Sequence, residues 1–173
     1  MSMYLQNSNL RIRALEPEDL DFLYRCENDA DNWATGTVCM PLSRYALRQY
    51  IEQMAVDIYA TNNLKWMMTL ADGTPIGTLE LNQIDHFHGR AEVGVFVEKS
   101  YRKQGYAMQG LQLLIAYAQQ KMGWHQLTAM VAKSNTASHQ LFRRVGFVQC
   151  GMYAGYLKTE QGFEDVLLYQ LVL

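Results

Sequence analysis

Arg90-Ala91-Glu92-Val93-Gly94-Val95-Phe96-Val97 runs through Glu98-Lys99-Ser100-Tyr101 into Arg102-Lys103-Gln104-Gly105-Tyr106-Ala107, and then into an apolar stretch that reaches Met122. Val93, Val95 and Val97 alternate with a strand's period of two. Leu111, Leu114, Ile115 and Ala118 share a helical stripe, and Gly123 supplies the stop. The spacing therefore predicts a strand over 90–97 and a helix over about 105–122. The join between them has a chemical consequence. A helix N-terminus leaves backbone N–H groups unpaired and carries partial positive charge, so it attracts phosphate. Gly105 and the small Ala107 let a pyrophosphate approach the backbone closely. Arg102 and Lys103 add charge nearby. The loop suits a pyrophosphate-bearing cofactor. It is not a Walker loop, since no Gly-Lys-Ser/Thr follows, nor a dinucleotide fingerprint, since the first glycine of Gly-x-Gly-x-x-Gly is missing.

Upstream, Leu10–Leu15 alternates as a strand. Pro17, with Glu18 and Asp19, opens a helix whose apolar stripe is Leu20, Leu23 and Tyr24. A loop over 28–42 leads to Ser43, an N-cap for a second helix with Tyr50, Ile51 and Met54 inward. Leu64–Leu70 and Pro75–Ile84 read as strands joined at Asp72-Gly73, with Gly77 at a bulge. Asp85–Gly89 turns the chain. Downstream, Leu127–Ala132 is a strand, Asn135–Val145 a helix stopped by Gly146, and Phe147–Ala154 and Phe163–Leu171 are strands. The order predicts one α/β (α+β) domain over 1–173: a mostly antiparallel sheet of six or seven strands, about four helices, and a late parallel crossover.

The bulk numbers agree. The chain has 173 residues, of which 49% are hydrophobic and 18% charged, enough to bury a core without disorder. A net charge of −2 lacks the basic excess of a nucleic-acid binder. No stretch approaches the ~18 apolar residues of a membrane span, and the N-terminus has no signal-peptide pattern. Cys26, Cys39 and Cys150 are scattered, without metal spacing, and suit a reducing, cytoplasmic setting. Asp85-His86-Phe87-His88 lacks a third metal ligand.

The loop resembles the motif A loop of the GNAT-type N-acetyltransferases, usually Arg/Gln-x-x-Gly-x-Gly/Ala. A second block supports the resemblance. Asn135-Thr136-Ala137-Ser138-His139-Gln140-Leu141-Phe142-Arg143-Arg144-Val145-Gly146-Phe147 is similar to the family's Asn-x-x-Ala/Ser-x-x-x-Tyr-x-x-x-Gly-Phe helix. Gly77-Thr78-Leu79-Glu80-Leu81 and Glu92 resemble the layout of the spermidine and ribosomal-protein branch. The resemblance covers nearly the whole chain.

It implies acetyl-CoA as co-substrate, without a metal. The strand before the loop would splay from its neighbour, with Val95, Phe96 and Val97 lying along the pantetheine arm. The amides of Arg102, Lys103, Gln104, Gly105, Tyr106 and Ala107 would hold the pyrophosphate. Asn135, Ser138 and Phe142 would line the cofactor, and Asn135 also reads as a plain helix N-cap. The implied reaction is attack of an amine on the acetyl thioester. An alkylamine with a pKa near ~10 must first lose a proton, and a carboxylate takes it. Glu92 is favoured over Glu80 for that role. Phe142 departs from the family, which places a tyrosine there to protonate the leaving thiolate. A thiol with a pKa of about 8.5 leaves without an acid. Tyr101, Tyr106, Tyr153 and Tyr156 are the alternative proton donors.

The expected acceptor is a primary amine of a small molecule. Acids at 16, 18, 19, 21, 27, 29 and 31 form either a cation-attracting face or a solvated helix face. Gly36–Pro41 lacks the acidic pair of the spermidine enzymes. Trp33, Tyr45, Trp66 and Met68 are candidates for an acceptor wall or for core. Two other readings stand beside transfer to a small amine: an acyltransferase acting on protein N-termini or with a longer acyl group, and a non-catalytic acyl-CoA-binding domain. The apolar run Val166–Leu173 suggests either a homodimer through the last strands or a buried terminal strand.

Overall fold

A computed structural model describes residues 5–33, 40–54 and 62–173. In chain order the elements are β1 (Leu10–Ala14), α1 (Leu20–Glu27), α2 (Ala30–Trp33), α3 (Arg44–Met54), β2 (Leu64–Leu70), β3 (Pro75–Asp85) and β4 (Arg90–Val97). Then follow α4 (Tyr106–Gln120), β5 (Gln126–Ala132), α5 (Thr136–Arg144), β6 (Val148–Thr159) and β7 (Gly162–Val172). The strands form one seven-stranded sheet in the order β1-β2-β3-β4-β5-β7-β6. Every neighbouring pair is antiparallel except β4 and β5, the parallel crossover that α4 makes. This is the α/β architecture that the order of elements predicts.

The two faces of the sheet divide the core. Leu111, Leu114 and Ala118 of α4 and Phe142 of α5 pack on the face that carries Val93, Leu127, Ala129 and Tyr169. Phe22 and Leu23 of α1 and Leu47 and Ile51 of α3 pack on the opposite face, over Met67 and against Phe96. Strand alternation places Lys65, Glu80, Glu92 and Gly94 on this second face as well. The acceptor-wall candidates Trp66 and Met68 lie on the first face, where they are core, and Tyr45 is exposed on α3. The side chain of Trp33 and residues 34–39, including Cys39 and most of Gly36–Pro41, lie outside the described residues.

Local signals explain the joins. Ser43 caps α3 by accepting from the Ala46 N–H at 3.1 Å. Gly73, at φ 93°, turns the β2–β3 hairpin, and Asp72 accepts from the Thr74 N–H at 2.9 Å. The register of β2 shifts between Met68 and Thr69, beside Gly77. A Cβ on Gly77 would lie 2.1 Å from the Phe96 carbonyl oxygen. Gly77→Ala must therefore push β3 away from β4, and overpacking of this kind costs about 1–3 kcal/mol. A urea titration of the variant tests this, and an unshifted midpoint would show that the strands yield freely.

Three expectations change. The predicted loop over 28–42 contains α2, a single turn too short for periodicity to reveal. Strands β6 and β7 run longer than expected, to Thr159 and from Gly162, because their polar tips and the irregular register around Gly151 and Gly155 hide the alternation. The apolar run Val166–Leu173 falls in β7, an interior strand paired to β5 on one side and β6 on the other, with Val166 and Tyr169 buried. The edges of the sheet are β1 and β6.

Candidate active site

Parallel pairing between β4 and β5 covers only Arg90↔Gln126, Ala91↔Leu127 and Glu92↔Thr128. Beyond Glu92 and Thr128 the two strands continue to Val97 and Ala132 without pairing each other, although β3 and β7 still hold their outer edges. The sheet is split from within. Among the described residues, the inner edges of Val93–Val97 and Ala129–Ala132 have no partner strand, the arrangement that an extended, amide-bearing chain completes. Helix α4 starts just past the end of β4, and α5 just past the end of β5. Two helix N-termini thus stand at the open end of one wedge, where a parallel sheet characteristically binds ligands.

The loop before α4 is built to expose its amides. Lys103 and Gly105 both adopt left-handed backbone, φ 61° and 85°, and Gly105 is the N-cap residue. No side chain caps the helix. The Gln109 N–H bonds the Gly105 carbonyl at 3.1 Å, leaving the earlier first-turn amides open. Turns with such backbone form anion-binding concavities. Gln104 steadies the loop by donating to the Ser100 carbonyl at 3.0 Å. The Arg102 side chain is not aimed at that concavity. Its Nε donates to the Val97 carbonyl at 2.8 Å, its Nη2 donates to Asn32 Oδ1 at 3.2 Å, and its guanidinium lies over Phe96. Arg102 ties the end of β4 to α2 and leaves the concavity to the backbone amides.

At the second N-terminus Asn135 Oδ1 accepts from the Ser138 N–H at 3.1 Å, a helix cap that fixes both residues. Phe142 is buried against Phe147 and stacks on Tyr169. Sequence reasoning gave His139 no role. It is buried, with Nδ1 2.9 Å from the Tyr169 hydroxyl and Nε2 3.2 Å from the Lys133 carbonyl. A carbonyl only accepts, so Nε2 carries the proton and Nδ1 accepts from Tyr169. His139 thereby braces the turn that leads to Asn135. Burial in the heptad-like stripe with Phe142 was the only sequence signal for it. His139→Phe strands the buried Tyr169 hydroxyl, at a cost of about 1–3 kcal/mol. Chemical denaturation measures the loss, and adding Tyr169→Phe should recover part of it.

Glu92 sits at the point where the strands part, half-buried, opposite Thr128, whose hydroxyl lies 3.4 Å from the Ala91 carbonyl. Burial raises the Glu92 pKa above the ordinary carboxylate value. Such a carboxylate is a better proton acceptor near neutral pH. Glu80 lies on the neighbouring strand and the same face, but it is engaged: Lys65 Nζ is 2.9 Å from it and 2.7 Å from Glu27. The geometry therefore favours Glu92 as the group available to a substrate.

The acids of α1 and its surroundings are mostly consumed by structure. Asp19 accepts two bonds from Arg13 at 2.7 and 2.8 Å, Asp21 pairs with Arg44, and Asp29 and Asp31 both pair with Lys99. A cleft of about 330 Å³ lies between α1 and the end of β4, lined by Arg25, Cys26, Asn32 and Glu98 among others. Burial holds the Cys26 thiol up at about 11, so it is not a nucleophile there. Tyr101 and Tyr106 lie near each other beside the loop, whereas Tyr153 and Tyr156 are exposed on β6. Among the described residues no group of His, Cys, Asp or Glu could hold a metal ion, and no helix is long and apolar enough to cross a membrane.

The model of the acetyltransferase (GNAT) domain family matches residues 9–148. The chain is 27% identical over 171 residues to an uncharacterized N-acetyltransferase, p20, of Bacillus licheniformis, covering 97% of this chain and 95% of that protein. It is 25% identical over 145 residues to the spermidine N(1)-acetyltransferase of Escherichia coli K12, covering 80% and 73%. A crystal structure of the Vibrio cholerae spermidine N-acetyltransferase in complex with CoA and spermine superposes with a TM-score of 0.87, at 22% identity, over 96% of both chains.

Proposed function

The chain belongs to the acetyltransferase (GNAT) family, and from that premise we propose that it moves the acetyl group of acetyl-CoA to a primary amine of a small molecule. The observation that carries this reading is the split between β4 and β5, with two helix N-termini at its open end. The inner edge of Val95–Val97, which no described strand pairs and where Arg102 takes only the Val97 carbonyl, suits the amides of the pantetheine arm. The open amides from Lys103 to Ala107 suit the pyrophosphate. Acetyl-CoA supplies a thioester carbonyl and a thiol leaving group.

In the proposed reaction this chain's residues bind, orient and move one proton. Glu92, directly or through a water, takes the proton of the incoming amine, and the freed lone pair attacks the carbonyl. The Asn135 cap holds the start of α5 against the other side of the cofactor arm. Phe142 has no proton to give, and its burial against Phe147 and Tyr169 makes it a packing residue beside the wedge. The CoA thiol, with a pKa of about 8.5, departs as thiolate, and the second proton, shed by the nitrogen as the amide forms, passes to the thiolate or to water. The proposal includes a homodimer through the edge strand β6, where Val148, Met152, Tyr153 and Tyr156 are exposed.

The test is a panel of monoamines, diamines, amino acids and peptides incubated with acetyl-CoA, with free thiol followed in time. Amine-dependent thiol release supports transfer. Binding of acetyl-CoA without release across the panel would establish a binding domain instead, and release only with peptides would move the acceptor to protein N-termini.

A further inference from the structure

Lys65, Glu80 and Gly94 stand in one row across β2, β3 and β4, on the face that also carries Glu92. The Lys65 side chain is 10% exposed, and its ammonium lies 2.7 Å from Glu27 and 2.9 Å from Glu80. The Tyr50 ring stands 5.5 Å away on a third side. Burial works to lower the Lys65 pKa, but the Glu80 and Glu27 carboxylates outweigh it and hold the ammonium charged. Gly94 has no side chain, and a Cβ there would come within 3.5 Å of Glu80 Oε2. The row next to it pairs Asn82 with Glu92. Glu80 and Glu92 are therefore diagonal neighbours, with Cβ atoms roughly 7 Å apart.

That spacing is the length of a short diamine. With one amine at Glu92, the second ammonium of such a molecule would reach the carboxylate pair Glu27–Glu80. Resting on the acetyltransferase reading above, we propose that Lys65 is a specificity-determining residue: its ammonium fills the cation site between Glu27 and Glu80, so the chain favours acceptors with a single amine over diamines. Two carboxylates and one ammonium leave a net charge of −1, which draws in one cationic amine but has no vacant seat for a second. An intramolecular ammonium, already desolvated and in contact with both acids, outcompetes one that must come from water.

The experiment compares butylamine with putrescine, its diamine counterpart, as acceptors for the wild-type chain, Lys65→Met and Lys65→Arg. The wild type should prefer butylamine in kcat/KM. Lys65→Met keeps an apolar stem but removes the ammonium from between the two acids, and should move the ratio toward putrescine by about tenfold or more, a change of about 1.4 kcal/mol. Lys65→Arg keeps the internal cation and should keep the wild-type preference. Should Lys65→Met not fold, since it takes the ammonium away from two acids, Lys65→Met with Glu27→Gln removes one of the acids and should still shift the ratio. An unshifted ratio in the folded variant, or a wild type that prefers putrescine, overturns the assignment of Lys65. Thiol release with neither these nor any other amine sinks the acetyltransferase reading itself, an outcome distinct from release with an unchanged ratio.

Discussion

Glu92→Gln should lower kcat by about 10²–10⁴-fold, the usual contribution of a positioned general base. The amide keeps the shape of the side chain but cannot take the amine's proton. The KM for acetyl-CoA should stay near its wild-type value, since Glu92 lies at the closed end of the wedge and the loop amides at its open end. The pH dependence gives an independent check. Burial raises the Glu92 pKa, so the acid limb of the wild-type profile should lie above the ordinary carboxylate range. Activity falls as the pH drops through that value, because the protonated acid is no base. Stability runs the other way. A carboxyl group whose pKa is higher in the folded chain contributes stability that is full below the unfolded pKa and lost as the pH rises through the folded one. At neutral pH the ionised Glu92 therefore opposes folding, and Glu92→Gln should melt no lower than the wild type. A rate within threefold of wild type would remove Glu92 from the role of base, and a large drop in melting temperature would make the lost activity structural.

Gly105→Val should raise the KM for acetyl-CoA by about 10–100-fold, or roughly 1.4–2.8 kcal/mol. Gly105 adopts φ 85°, which a β-branched residue adopts only under strain. Nothing but Gln109 Nε2, at 3.9 Å, stands near the position of its Cβ, so the protein itself has room for the side chain. The branched carbons would project over the open amides instead, where the proposed pyrophosphate approaches. The measurement is the KM split. A loss confined to acetyl-CoA, with little change in the KM for the amine, is the expected pattern. A change in the amine KM alone would place the cofactor elsewhere.

What was legible in the sequence follows from periodicity and from local backbone chemistry. Val93, Val95 and Val97 announced β4, Ser43 and Asn135 announced helix starts, and Asp72-Gly73 a hairpin, because each is decided by neighbours in the chain. The loop at Gly105 was legible for the same reason. The partners of long-range contacts were not. The sequence has the Arg102 side chain adding charge beside the loop, and its contacts, with the nearby Val97 carbonyl and with Asn32 seventy residues away in the chain, were not legible there. The sequence favoured Glu92 over Glu80, but the physical difference between them is a long-range one: Lys65, fifteen residues away in the chain and directly across from Glu80, engages Glu80. Trp66 and Met68 have the composition of a pocket wall, and only the register of β2 assigns them to the core face. His139 has a polar side chain in an apolar stripe, and its partner Tyr169 comes from the last strand.

The wedge between β4 and β5 is the feature on which the functional reading rests, and amide hydrogen exchange tests it most directly. Exchange is followed by peptide mass spectrometry with and without saturating CoA. The expected result is new protection in Val93–Val97 and in the loop from Lys103 to Met108, smaller protection near Asn135–Ser138, and none in the exposed tips of β6 and β7. Protection that leaves Val93–Val97 and the Gly105 loop unchanged, or binding too weak to protect any segment, would contradict a cofactor held in the wedge.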